Sequence, residues 1–335
     1  MADKNQTAQP SQHLRPMTRC QILPLPGRQF QLLIDGNERT RWHFPSDVPR
    51  PYFYPINGPG NVSLTRMGHP GAPNHDHHRS FWFAHHDLLG IDFWSENTDA
   101  VIEQTQWHAI EEDDASATVA FRLVWRDGHD PSPLLTQDVF ATIRPGDSDS
   151  QLSVDGSPDA WTLELQSDFR SDAEGVEFRQ SNFGILGLRV AKTLSVVFGQ
   201  GTITGADGRQ GEQQLFGRPN RWVDYSGPIG TDAQGQAVIE GLTLIDHAEN
   251  PGHGSDSAAS WHVRDDGWIG PSLSRHSGIE LTRGETLRCR YLLLVHPGAC
   301  NPAQAQQVAA KFDALPALRF GRGTKPHQQF QIFRT

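Results

Sequence analysis

Cysteine is scarce in this chain. Only Cys20, Cys289 and Cys300 occur among 335 residues, and none belongs to a CxxC pair. That spacing argues against a disulfide frame or a zinc knot and fits reduced thiols in a cytoplasm. No apolar run approaches the roughly 18 residues that a membrane-spanning helix needs. The opening stretch, MADKNQTAQPSQHLRPMTRC, lacks the apolar core of a signal peptide, and residues 1–18 read as a polar, disordered arm. Basic residues are outnumbered, 29 Lys and Arg against 39 Asp and Glu, for a net charge of −10. With no Lys/Arg-rich run and an acidic balance that repels phosphate backbones, neither nucleic acid nor membrane is an expected partner. Also missing are GxSxG, a P-loop, GxGxxG ahead of a helix, and HExxH, so serine-hydrolase, nucleotide and zincin chemistry have no footing.

Glycine (32) and proline (23) are plentiful, and helical periodicity is rare, which favours strands and turns. Alternating segments begin at CQILPLP, FQLLIDG and RTRWHFP and continue through 100–111, 115–126, 134–144 and 161–169. In the last of these, Trp161, Leu163 and Leu165 share one face and Thr162, Glu164 and Gln166 the other. The glycine-spaced FGILGLRV implies close backbone approach. The Gly/Gln-rich stretch 199–218 reads as a loop. Asn301-Pro302 reads as an N-cap with Pro at the first helical position, opening one helix to about Leu315 with Val308, Phe312 and Leu315 inward. The expected architecture is all-β: a large antiparallel β-sandwich, one domain over 19–322, one C-terminal helix, and a loose polar tail over 323–335.

Functional residue types concentrate in NHDHHRSFWFAHHDLLGIDFW, from Asn74 to Trp94, which holds five of the sixteen histidines. Imidazoles are costly to bury and titrate near neutrality, and aromatic surface beside polar groups suits a small-ligand pocket. His75, His77 and His78 are candidate catalytic groups. His75 and His77 point the same way on an extended chain and could also hold a divalent metal, with a third ligand from Asp246, His247 or His262. A cupin-like site would want a Glu about four residues on, where Phe81 and Trp82 stand. Arg79 could grip a carboxylate or a hydroxyl pair, or pair with Asp76 or Asp87. Trp82 and Trp94 could stack on a sugar ring, with His85 and Asp87 as further binding candidates.

Two later groups complete the set. Trp222, Asp224 and Tyr225 lie within RWVDYSG, where Asp224 could orient a histidine. Asp246-His247 precedes SWHVRDDGWIG, in which His262 and Arg264 share a strand face as a base and a cation side by side. Remote polar-rich segments of a β protein often meet in one cleft, so His262 or Arg264 is expected to line the same site as His75–Arg79. Asp76, Asp87, Asp92, Asp224 and Asp246 could supply a glycosidase carboxylate pair, but nothing selects two of them.

These blocks together resemble the PmoA-like family. The histidine stretch is similar to its H-P-H-H-R-G-x-W-F-A-H-G-x-x-N-G-x-D-F-W segment. RPYFYPINGPGNVSLTR, RWVDYSG, LIDHAENPGH, SWHVRDDGWIG and LLLVHPG match further blocks in the same order, from about Phe30 to Gly298. Ser80, His86 and Asp266-Gly267-Trp268 depart from the pattern. The family's "methane oxygenase" label sits badly with a chain that has no membrane span. The resemblance implies a galactose mutarotase-like sandwich that binds a small-molecule carbohydrate on a concave sheet, with a His and a carboxylate as acid and base. The expectation is therefore a carbohydrate-active epimerase, mutarotase or lyase, with a metal-dependent enzyme or a non-catalytic sugar-binding module as rivals. No cofactor is implied with certainty, a divalent metal is an open option, and the oligomeric state is not given.

Overall fold

A computed structural model describes residues 17–69, 75–148, 151–171, 173–253 and 258–335. The first 16 residues of the expected polar arm lie outside the described residues. Two eight-stranded antiparallel sheets dominate. The first runs in spatial order β1 (Cys20–Leu25), β2 (Gln29–Ile34), β3 (Asn37–His43), β4 (Tyr52–Ile56), β5 (Phe81–His85), β11 (Gly184–Arg189), β16 (Trp268–Ser272) and β15 (Ser260–Arg264). The second runs β12 (Thr202–Gly205), β13 (Trp222–Thr231), β14 (Ala237–Asp246), β18 (Leu287–Pro297), β9 (Trp161–Ser171), β8 (Leu135–Pro145), β7 (Ala117–Arg126) and β6 (Val101–Glu112). A small two-stranded sheet pairs β10 (Gly175–Phe178) with β17 (Ile279–Thr282), and a hairpin pairs β19 (Leu318–Arg322) with β20 (Phe330–Arg334).

Alternation builds the space between the sheets. Val119, Phe121, Leu123 and Trp125 of β7 point inward, as do Leu163, Leu165 and Phe169 of β9, against Phe30, Phe53, Phe81 and Leu186 of the first sheet. One contiguous apolar core results, as the sandwich reading requires.

Part of the outer face of the second sheet is buried too, and polar around Glu164. Glu164 has no exposed surface and takes ion pairs from Arg144 (2.9 Å) and Arg290 (3.3 Å), and from Arg334 on β20. Gln166 bonds both the amide and the carbonyl of Leu318, pinning β19. Residues 323–335, expected to be loose, therefore carry a paired strand, because Arg334 answers a buried carboxylate.

Helix α2 (Pro302–Asp313) opens as expected, with the Asn301 side chain accepting from the Gln304 amide. Its Val308 and Phe312 cover Trp222, Ile245, Leu292 and Leu294 of the second sheet. The stretch 199–218 is not all loop. It holds β12 and the four-residue α1 (Glu212–Leu215), each too short to show apolar periodicity beyond Ile203 and Leu215.

Removing the Glu164 carboxylate leaves buried guanidiniums without a counter-charge. Glu164→Ala should cost about 3–5 kcal/mol in chemical denaturation. A cost well under about 1 kcal/mol, the range of an exposed pair, would show that the cluster is solvated.

Candidate functional site

The site lies on the outer face of the first sheet. Strand alternation decides which side chains reach it. On β5, Phe81 and Phe83 enter the inter-sheet core, so Trp82 and Ala84 face outward. On β15, Trp261 and Val263 go inward, and His262 and Arg264 outward. Cross-strand register then aligns Arg189, Trp268 and Arg264 as neighbours over β11, β16 and β15. One step along, Trp82 stands beside Gly187, and Gly270 beside His262.

The glycines make the hollow. A Cβ on Gly187 would lie 2.9–3.1 Å from three atoms of the Trp82 ring, and one on Gly270 would lie 3.0 Å from the Trp268 ring. The Trp82 indole therefore sits against the bare backbone of Gly187, and at Gly270 a side chain would meet the Leu186 carbonyl oxygen at 2.5 Å before it met the Trp268 ring. Trp94 and Phe183 pack on the two indoles, with Trp94 5.4 Å from Trp82, 5.8 Å from Trp268 and 4.6 Å from Phe183 between ring centroids.

The loop before β5 closes one side. His78 stacks on Trp82 at 5.5 Å, His77 meets His78 edge-on at 4.5 Å, and His75 lies 5.1 Å from His78. On the other side His262 sits 4.4 Å from Trp268 and 5.5 Å from Phe183. The open pocket of about 360 Å³ is lined by His75, His77, His78, His86, Trp94, Ser95, Phe183, Arg189, His262, Arg264, Asp266 and Trp268.

Burial controls the electrostatics. It pushes the His77 and His262 imidazoles down to about 4 and His78 further below its ordinary value. These rings are neutral at pH 7. Asp266 is held ionised: burial would raise its carboxyl, but the Arg189 hydrogen bond and charge outweigh that, helped by His69. Arg189 Nη1 donates to Asp266 at 2.8 Å, and His69 Nε2 lies 3.1 Å from the other carboxylate oxygen. From inside the sandwich, the Tyr225 hydroxyl donates to the Arg264 carbonyl.

The structure thus brings together His75, His77, His78, Trp94, His262 and Arg264. Other expected residues lie elsewhere. Arg79 bonds Glu96 (2.6 Å), rather than Asp76 or Asp87, beneath Tyr52. Trp82 is fully buried under His78 and Trp94, so it supports the pocket without lining it. His85 points into the core against Phe178, because it shares parity with Phe81 and Phe83. Asp87 caps the Gly90 amide and pairs with Arg179.

Trp222, Asp224, Asp246 and His247 belong to the second sheet. Trp222 packs under α2, and Asp224 pairs with buried His296 (2.8 Å) and Thr243. Asp246 bonds His253 and Asn250, and His247 accepts from Arg290. Tyr225 lies in the core. His86, Arg189, Asp266, Phe183 and Trp268 line the pocket unforeseen. The parity of FWFAHH would have chosen His86 over His85.

A metal reading of His75 and His77 finds no third donor: no group of three or more His, Cys, Asp or Glu is arranged for a metal among the described residues. Their rings are nearly parallel, 5.8 Å apart. No helix is long and apolar enough to cross a membrane among the described residues.

Fold and pocket together define a β-sandwich protein with an imidazole- and indole-lined hollow on one outer sheet face. The chain belongs to DUF6807, a family of unknown function whose model matches residues 29–310. That match overturns the PmoA-like resemblance, and the methane-oxygenase label falls with it. No protein of curated function matches the sequence. Among solved structures, similarity extends to a candidate mutarotase, YeaD, from Salmonella typhimurium, at 11% identity and TM-score 0.36 over 84% of this chain and 94% of that one. It also extends to a mutant of the heparan sulfate lyase HepC from Pedobacter heparinus, at 8% identity and TM-score 0.39 over 96% of this chain. This chain spans 43% of the lyase.

Two outcomes follow from the geometry. Gly187→Ala must displace the Trp82 indole, which should cost about 1–3 kcal/mol and shift tryptophan emission. Unchanged stability and emission would contradict the packing. The second concerns pH. His77, His85 and His262 stay neutral in the fold down to about 4, whereas unfolded histidine titrates near about 6.5. Between those values the unfolded chain binds more protons, so stability should fall as pH drops from about 6.5 to about 4. Denaturation midpoints that stay flat across that window would refute buried neutral imidazoles.

Proposed function

We propose that this chain is a carbohydrate-active protein that moves a proton on a sugar or an oxidised sugar, in an epimerase, mutarotase or lyase type of reaction. One observation carries the reading: imidazoles from the loop before β5 and from β15 line a single indole-floored pocket with two arginines and an ionised carboxylate. The faces of Trp94, Trp268 and Phe183 offer apolar area for the C–H side of a sugar ring. Neutral His262 gives its Nδ1 hydrogen to the Asn182 carbonyl at 3.3 Å and so presents the Nε2 lone pair, while neutral His77 carries one lone pair and one N–H at neutral pH. One can take a proton from a carbon or hydroxyl while the other donates to oxygen. Arg189 and Arg264 supply positive charge where an oxyanion would develop. The pocket volume, about 360 Å³, suits one small ligand.

The reaction would be followed by NMR in D2O, with a sugar panel scored for anomer equilibration, carbon-bound deuterium uptake and elimination. His77→Ala and His262→Ala should each lower turnover by about 10²- to 10⁴-fold with the fold intact by circular dichroism. Full activity in both variants would refute the assignment. Binding without conversion would make the chain a sugar-binding module. Because His77 and His262 remain unprotonated down to about 4, activity should hold as pH falls through 6 and drop only on approaching that value. An acid limb centred near about 6.5, the ordinary histidine value, would exclude both as the essential base.

A further inference from the structure

Positive charge gathers around this pocket, although the chain as a whole carries −10. Arg189 and Arg264 flank Trp268 across three strands, and both line the cavity. Arg189 is fully buried, and its Nε and Nη2 have no hydrogen-bond partner among the described residues. Its one carboxylate is Asp266. Arg66 lies alongside, donating to the Asp266 backbone carbonyl at 3.0 Å, with no carboxylate within ion-pair distance among the described residues. Burial, and next the charge of Arg189, pull the Arg66 guanidinium down to about 10. At the opposite rim Arg50, also buried, and Arg79 share Glu96 at 3.7 and 2.6 Å. The nearby Asp92 accepts from the Trp94 and Ser95 amides.

Asp266 and Glu96 each face two guanidiniums, Arg189 with Arg66 and Arg50 with Arg79, whereas Glu212 faces Arg264 alone. Neutral His77, His78 and His262 add no charge, and residues 70–74, Pro-Gly-Ala-Pro-Asn, contain no acid. A buried guanidinium short of counter-charge is expensive, and a ligand anion relieves that cost. Among the described residues only the Nη1 of half-exposed Arg264 is taken, by Glu212 at 2.7 Å, which leaves the rest of its planar fork for a carboxylate. No lysine lines the cavity.

We propose that the ligand of this pocket is a sugar acid, a uronate or an aldonate. It docks with its carboxylate toward Arg189 and Arg264 and its ring against Trp94, Phe183 and Trp268. This rests on the sugar reading above and narrows its substrate class.

The test uses the whole chain and matched probes by calorimetry and ligand-observed NMR: D-glucuronate against D-glucose, D-galacturonate against D-galactose, and D-gluconate against D-sorbitol. In at least one pair the acid should bind about ten- to a hundredfold tighter, the range of a charge-assisted contact. Added salt should weaken that preference. Arg264→Gln, a change at a half-exposed position, should erase most of that preference. Neutral sugars binding as well as their acids, or a preference that survives in Arg264→Gln, would overturn the acid assignment and leave the sugar reading standing. Stronger binding of D-glucose 6-phosphate than of any carboxylate would also overturn it. Binding of no probe in any pair would remove the sugar reading, and this inference with it.

Discussion

Two bare positions in the middle of a sheet make room for everything else. A β-sheet face is ordinarily filled by the side chains of adjacent strands, about 5 Å apart, and has no space for a ligand. Gly187 and Gly270 remove that filling at neighbouring points, and the Trp82 and Trp268 indoles sit against the exposed backbone. The result is an aromatic floor of mutually tilted rings, and it fixes the rest. His78 stacks on Trp82, His262 meets Trp268 edge-on, and Trp94 and Phe183 close the gap between them. Arg189 and Arg264 reach the pocket because strand register sets them on either side of Trp268.

The apolar walls that build the hollow also set its chemistry. They keep His77 and His262 uncharged, while Arg189 keeps Asp266 charged. The site thus combines neutral proton acceptors with one fixed anion and a surplus of guanidinium. The polar network on the far sheet shows the contrasting case. Glu164 with Arg144, Arg290 and Arg334, and Asp224 with His296, are buried charges that pair with one another beneath the C-terminal helix and hairpin.

Much of the architecture could be read from period-2 alternation. Trp161, Leu163 and Leu165 do face inward opposite Glu164 and Gln166, and Asn301-Pro302 does open the helix. The meeting of the early histidines with His262 and Arg264 was also accessible, since two polar-rich segments otherwise lack a reason to share strand faces. What could not be read was sheet membership. Asp224 and Asp246-His247 look like site residues in sequence, yet they fall in or beside the other sheet, where Asp224 pairs with His296, Asp246 with His253 and His247 with Arg290. Arg189 and Asp266 escaped notice because one ends a glycine-spaced apolar strand and the other sits in an Asp-Gly turn. Only the fold brings them to 2.8 Å. Parity favours His86 over His85 as the pocket residue. Alternation from Trp82 already sends His86 outward.

The central claim is that imidazoles from two distant segments serve one ligand. Nitrogen-15 spectra of the histidine side chains, recorded while a bound sugar or sugar acid is titrated, test it most directly. The account predicts that the His77 and His262 resonances move together, along one saturation curve and with the shifts of neutral rings. Resonances that respond to different ligands, or only one that responds at all, would contradict it.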